Sequence, residues 1–215
     1  MEERRIILVL KSGGDFVLEH VYILAKHLKE YEVCCISDLH TANVIKDNLH
    51  FIPMEYMYRG WWAKMNLFSP KLEYLRPYLF LDLDTIVFDI AELFFDNHFS
   101  NGFGMLRDFY KPFKPASGIM WIPKENEKIN TIWNKWIQGG EKHIRHYIGD
   151  QNFIASVVHP DWYWQDVVNG VVSFQPNKKL RLTLDGTEKL VCLHGKPRLF
   201  EAAKMVKWVK DYIEE

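Results

Sequence analysis

The segment that decides the reading is Tyr78-Leu79-Phe80-Leu81-Asp82-Leu83-Asp84-Thr85-Ile86-Val87. Tyr78 to Leu81 is a short continuous apolar run, the pattern of a buried strand. It leads directly into two carboxylates one residue apart, and a second apolar stretch, Ile86-Val87-Phe88, follows. Residues i and i+2 of an extended chain project to the same side. Burying two like charges together is costly unless something neutralises them. Hard divalent cations such as Mg2+ and Mn2+ prefer carboxylate oxygens, and open α/β sheets bind ligands beyond the carboxyl ends of their strands. Asp82 and Asp84 are therefore candidate metal ligands at a strand terminus. The competing reading is a surface turn with both carboxylates in water. Against it, no Gly, Pro or Asn lies between Tyr78 and Ile90.

Upstream, Ile6 to Leu10 reads as another buried strand, ended by Lys11-Ser12-Gly13-Gly14. Asp15 is a candidate cap for a helix whose apolar positions are Val17, Val21, Leu24, Ala25 and Leu28. Val33 to Ile36 is a second strand, closed by Ser37-Asp38. Strand, helix and strand in this order suggest a βαβ unit with parallel strands. Gly60 to Phe68 reads as a helix ended by Pro70. Downstream, Phe103 to Leu106, Ile119 to Ile122, Val171 to Phe174 and Leu190 to Leu193 are strand candidates. Asn126 to Ile137 and Asp150 to Val158 are expected helices. Phe200 to Ile213 reads as one amphipathic helix with Ala202, Met205, Val206, Val209, Tyr212 and Ile213 on its apolar side. The alternation is regular early and irregular later, which predicts an α/β fold with a mixed sheet.

A chain of 215 residues suits one domain. Its 27 basic and 28 acidic residues leave a net charge of -1, which argues against a nucleic-acid groove and against adhesion to anionic lipid. No apolar run reaches the length of a membrane span, and the opening lacks the apolar stretch of a signal peptide. Three cysteines, Cys34, Cys35 and Cys192, form no framework and read as small buried hydrophobes in a reducing compartment. A cytoplasmic location, or the cytosol of an infected cell if the chain is viral, is the matching expectation. The eight tryptophans cluster at Trp61-Trp62 and Trp162-Tyr163-Trp164. Core packing is the common use of tryptophan, and stacking on an acceptor sugar is the other. His143, Arg145 and His146 form a basic patch that is either a solvated helix face or a contact for an anionic group.

These motifs, in this order, resemble the GT-A-fold glycosyltransferases, and among them glycogenin-like enzymes and related small bacterial and large-DNA-virus members. The likeness runs from about Ile6 to Phe200. Asp82-Leu83-Asp84 looks like the family's Asp-x-Asp motif, with Leu83 counted among the donor contacts. Lys11, Ser12 and Gly13 sit where the family holds its nucleotide, and Asp38 resembles a residue that contacts the base or ribose. Gly60-Trp61-Trp62-Ala63-Lys64-Met65 resembles the family's Trp-Ser-Lys-Leu helix, which makes Lys64 a contact to the donor sugar; Arg76 is a further donor candidate. Ser117-Gly118-Ile119-Met120 looks like Asn-Ser-Gly-Val, with Ala116 replacing the asparagine. Gly149-Asp150-Gln151 looks like the Gly-Asp-Gln that brackets the transferred sugar. His194-Gly195-Lys196-Pro197 resembles a more compact form of the C-terminal His-Gly-Lys-Pro, in which the histidine is the third metal ligand, Gly195 a donor contact and Lys196 the residue on the diphosphate.

The resemblance implies a GT-A, Rossmann-like single domain over residues 1–215, with a mixed, mostly parallel central sheet flanked by helices. A nucleotide-binding half would cover about 1–90 and a sugar and acceptor half about 91–215. It implies Mn2+, or Mg2+, on Asp82, Asp84 and His194. The donor would be a UDP-sugar carrying glucose, galactose, xylose or a deoxysugar such as rhamnose, and the acceptor a carbohydrate or glycan. A divalent ion on both phosphates would stabilise the charge that grows on the leaving group, Lys196 would add to it, and Asp150 and Gln151 would flank the reacting sugar. An inverting enzyme needs a general base, for which Asp150 is the candidate. In a retaining one, as the resemblance implies, the leaving phosphate takes the proton. Asp150 has the alternative role of capping the helix that follows it. Two other functions stay open: a nucleotidyltransferase that makes nucleotide sugars, and a non-catalytic carbohydrate-binding domain.

Overall fold

The computed structural model describes residues 4–39, 48–91 and 101–215; Met1-Glu2-Glu3 of the expected leaderless start lies outside them. Its centre is a seven-stranded sheet in the order β3-β2-β1-β4-β7-β6-β8. These strands are β1 (Arg5–Leu10), β2 (Glu32–Ser37), β3 (Leu49–Pro53), β4 (Tyr78–Leu81), β6 (Gly104–Arg107), β7 (Pro115–Ile122) and β8 (Trp162–Tyr163). β3, β2, β1 and β4 run parallel. β7 pairs antiparallel with β4 and β6, and β8 returns parallel to β6. A smaller sheet, β5-β10-β9, is built from β5 (Thr85–Val87), β9 (Val171–Ser173) and β10 (Leu190–Cys192). The expected α/β class with a mixed, mostly parallel sheet flanked by helices is the one observed.

The continuous apolar runs arise because the central strands are covered on both faces. Ile6, Leu8 and Leu10 of β1, with Leu79 and Leu81 of β4, pack on one side with α1 (Leu18–His27). Ile7 of β1, with Tyr78 and Phe80 of β4, packs on the other side, against the 3-10 helix Gly60–Phe68, α2 (Glu127–Gly139) and α3 (Asp150–Val157). A third cluster joins Ile86, Val191 and Phe174 of the small sheet region to the C-terminal helices.

Several elements depart from the expectation. Asp15 does not cap α1. Val17 holds that position, and its backbone N–H donates to Nδ1 of His20 at 3.2 Å. Gly60–Phe68 winds as a 3-10 helix, and Pro70 opens a second one, Pro70–Leu75, with the Ser69 hydroxyl accepting from the Lys71 N–H. The expected C-terminal helix is two, α4 (Leu199–Ala203) and α5 (Lys207–Glu214). The break lets Leu199, Ala202, Val206, Val209 and Tyr212 all bury against the small sheet, and leaves Met205 exposed. β3 was not anticipated. It is an edge strand with only Leu49 fully buried.

Of the two readings of Trp162-Tyr163-Trp164, packing is the one seen, and none of the three lines the main cavity. Trp164 is fully buried, and Trp162 lies over the backbone of β6, where a Cβ added at Gly104 would sit 2.3 Å from its ring. Gly104→Ala is therefore expected to destabilise the fold by about 1–3 kcal/mol, lowering the melting temperature by roughly 2–4 °C per kcal/mol. An unchanged melting curve would contradict this packing.

Candidate active site

A cavity of about 550 Å3 opens beyond the carboxyl ends of β1 and β4. Asp82 and Asp84 both line it, by a route the sequence did not predict. The chain turns there: Thr85 N–H donates to the Asp82 carbonyl at 3.1 Å, while Asp82 N–H donates to Gly118 at 2.8 Å. The turn sends Leu83 into the core, 2% exposed. Both carboxylates face the cavity because the apolar residue between them is anchored away from it. Leu83 thus shapes the turn and does not line the cavity. The Asp84 carbonyl accepts from Leu193 N–H at 2.8 Å, which holds the His194 segment against the acid pair.

Each carboxylate carries its own cation. Lys64, buried beneath the cavity, donates to Asp82 at 2.6 Å and lies 3.8 Å from Asp150. Burial works against its charge, but Asp150 and Asp82 outweigh that and raise its pKa. Arg198 binds Asp84 through Nη1 and Asp15 through Nε, the latter at 3.3 Å. Its guanidinium lies 4.9 Å from the Phe16 ring centre. Burial, with the charge of Asp82, pushes the Asp84 carboxyl up, and burial does the same to Asp82.

Asp150 is not a helix cap. Gly149 occupies the cap position, and no side chain caps there. The Asp150 carboxylate instead accepts from the Ser117 hydroxyl at 2.6 Å. Gln151 also faces the cavity and donates to Asp108 at 3.4 Å. Gly118 stands 3.8 Å, measured from its hypothetical Cβ, from Asp82 Oδ2. Asp82, Asp84, Lys64, Ser117, Asp150, Gln151, His194, Gly195 and Lys11 therefore share one cavity.

Other expected residues stand apart from it. Arg76 is buried and donates to the Phe68 and Ser69 carbonyls at 3.2 and 3.4 Å, tying the two 3-10 helices together. Ser12, Gly13 and Asp38 are not among the lining residues. Asp38 accepts from Lys11 Nζ at 2.5 Å and from the Ser12 N–H and hydroxyl at 2.8 and 2.5 Å. Lys196 is 60% exposed and pairs with Glu201 and Asp15 at 3.4 and 3.7 Å; it does not line the cavity either. Sequence reasoning missed Arg198, Asp15 and Asp108. Arg198 had a signal, since it stands immediately after His194-Gly195-Lys196-Pro197. Trp61, by contrast, lines the cavity with its indole 56% exposed.

Asp82 and Asp84 fit a divalent cation by chemistry, being two neighbouring carboxylates, the first partly and the second fully buried, that already attract two side-chain cations. His194 is not gathered with them. Its ring lies between Phe109 and Tyr110, with centroids at 5.2 and 5.1 Å. Its Nε2 is 3.5 Å from the Ser173 hydroxyl, and its Nδ1 is buried without a hydrogen-bond partner. Among the described residues, no three His, Cys, Asp or Glu side chains are grouped as a metal site.

No protein-family model matches the chain, and no curated protein matches its sequence. Solved structures do match it. The glycosyltransferase GlyE of Streptococcus pneumoniae is similar with a TM-score of 0.69 at 12% identity, over 98% of this chain and 60% of its own length. The bifunctional glycosyltransferase WbbM is similar with a TM-score of 0.63 at 12% identity, over 99% of this chain and 49% of its own. The chain spans about half to three-fifths of these proteins, and the likeness establishes that it has the fold of solved glycosyltransferases.

The bonds to Asp38 generate a pH prediction. Burial alone would raise its pKa, but hydrogen bonds and charge from Lys11 and Ser12 prevail and hold it at about 2. A depressed carboxylate contributes stability above its unfolded value of about 3.9 and loses it as pH falls through the folded value. Asp38→Asn should lower the melting temperature by a few degrees at pH 7. The gap to the parent should close as pH falls from about 4 toward 2. A gap that stays constant over that range would show that the Asp38 bonds do not contribute.

Proposed function

We propose that the chain is a metal-dependent glycosyltransferase that moves a sugar from a UDP-sugar donor to an acceptor hydroxyl. The observation that carries this reading is the juxtaposition, in one cavity at the carboxyl ends of β1 and β4, of the Asp82 and Asp84 pair with Asp150 and Ser117. The shared fold of solved glycosyltransferases supports it. Asp82 and Asp84 would hold Mn2+ or Mg2+, and a bound ion would supply charge stabilisation to the departing diphosphate. Lys64 then keeps Asp150 in place and adds positive charge beneath the transferred sugar. Ser117 fixes the orientation of the Asp150 carboxylate.

Asp150 Oδ2 is already committed to Ser117 and close to Lys64. That commitment favours retention, in which the acceptor proton leaves with the diphosphate. The bond from the anomeric carbon to the phosphate oxygen breaks, the bond to the acceptor oxygen forms, and UDP takes the proton. Trp61, exposed at the cavity wall, offers an aromatic face on which an acceptor sugar can stack. Among the described residues, no helix is long and apolar enough to cross a membrane. The three free, buried thiols suit a reducing compartment such as the cytosol.

The test is UDP release from UDP-glucose, UDP-galactose, UDP-xylose and UDP-rhamnose, with and without Mn2+. At least one donor should be turned over only with Mn2+, and Asp84→Asn should lower that turnover by at least about 100-fold. Release of pyrophosphate from UTP instead would move the chain to the nucleotidyltransferases. Sugar binding with neither product would make it a carbohydrate-binding domain.

A further inference from the structure

Two cations follow His194 in the chain, and the structure treats them in opposite ways. Lys196 turns outward to Glu201 and Asp15. Arg198 lines the cavity, with its side chain 22% exposed. It bonds Asp84, where Lys64 bonds Asp82. The two are not equally fixed. Lys64 is buried between Asp82 and Asp150. Arg198 is held by one buried carboxylate and by Asp15, whose side chain is 48% exposed.

We propose that Arg198, and not Lys196, is the residue that binds the donor's diphosphate, and that it serves as the counter-cation of Asp84 until a divalent cation takes that carboxylate. This rests on the reading of the cavity as a nucleotide-sugar site. The chemistry follows from charge. Asp84 is buried beside Asp82, so without a ligand it needs a positive neighbour. A divalent cation on the pair makes that neighbour redundant and repels it. The freed guanidinium would remain at the same cavity wall, available to the phosphates of a donor. Its planar fork matches two phosphate oxygens, a geometry the ammonium of lysine does not offer. A divalent cation would bring one more positive charge to the acid pair than the guanidinium that leaves it, and the displaced guanidinium would meet a new anion in the diphosphate.

The experiment is calorimetric titration of the parent, Arg198→Gln, Arg198→Lys and Lys196→Gln with three probes: Mn2+ alone, methylenediphosphonate with saturating Mn2+, and UDP with saturating Mn2+. Arg198→Gln should bind Mn2+ alone several-fold more tightly, because the competing cation is gone. It should bind the diphosphonate and UDP about 10- to 100-fold more weakly. Lys196→Gln should change each by less than about threefold. If Arg198→Gln does not fold with Asp84 left unpaired, Arg198→Lys carries the test. It keeps the charge without the fork, and its diphosphonate affinity should fall by about 3- to 10-fold. Diphosphonate affinity that is unchanged in the Arg198 variants, or lost chiefly in Lys196→Gln, overturns the assignment. If the parent binds UDP no better than the diphosphonate, while the dependence on Arg198 persists, the uridine-donor reading fails and the Arg198 assignment stands.

Discussion

Everything in the cavity depends on how two neighbouring carboxylates, Asp84 buried and Asp82 partly so, are offset by positive charge. Asp82 and Asp84 stand at the end of a strand with no exposed side, where desolvation alone would favour their neutral forms. Lys64 on Asp82 and Arg198 on Asp84 offset part of that cost. Removing either cation would leave a carboxylate buried and uncompensated, which is far more damaging than losing a surface ion pair. The same arrangement makes the site receptive to ligands. A carboxylate balanced by a partly exposed side chain such as Arg198 can exchange partners, whereas an apolar wall cannot.

The backbone makes this cluster possible. The turn from Asp82 to Thr85 joins the seven-stranded sheet to the three-stranded one, so the acid pair sits at their seam. Gly118 anchors the turn from β7, and Leu193 anchors it from the end of β10. The antiparallel pairing of β5 with β10 sets Thr85 opposite Cys192. Residues more than a hundred positions apart in sequence, Asp84 and Arg198, thereby come into contact. Leu83, buried between the two carboxylates, contributes roughly 1.5–3 kcal/mol of apolar burial. It also sets the direction in which both acids point.

Much of this was legible in the sequence, for a physical reason. Strands covered on both faces need uninterrupted apolar runs, so β1, β2 and β4 announce themselves. The two aspartates after β4 stand out because charge at that place has no structural excuse. What stayed hidden is what depends on tertiary contact. β3 has one fully buried residue and sits at an edge, so its pattern is weak. The C-terminal helix breaks because packing on the small sheet outweighs continuity. Asp38 was expected at the nucleotide, and its carboxylate is bonded to Lys11 and Ser12; for Trp162, of its two readings, packing against the glycine backbone of β6 is the one seen. Arg76 has a similar fate, spent on two carbonyls. No spacing rule distinguishes Lys196 from Arg198; only the path of the chain after Gly195 decides which faces the cavity.

The central claim is that the acid pair of the β4–β5 turn exists to hold a divalent cation together with a nucleoside diphosphate. Electron paramagnetic resonance of Mn2+ tests it directly. Adding the protein and UDP to dilute Mn2+ should quench the six-line signal of the free aqueous ion, and the double variant Asp82→Asn, Asp84→Asn should leave it as it is with UDP alone. An equal loss of signal in the parent and the double variant would contradict the account, because the metal would then be held elsewhere.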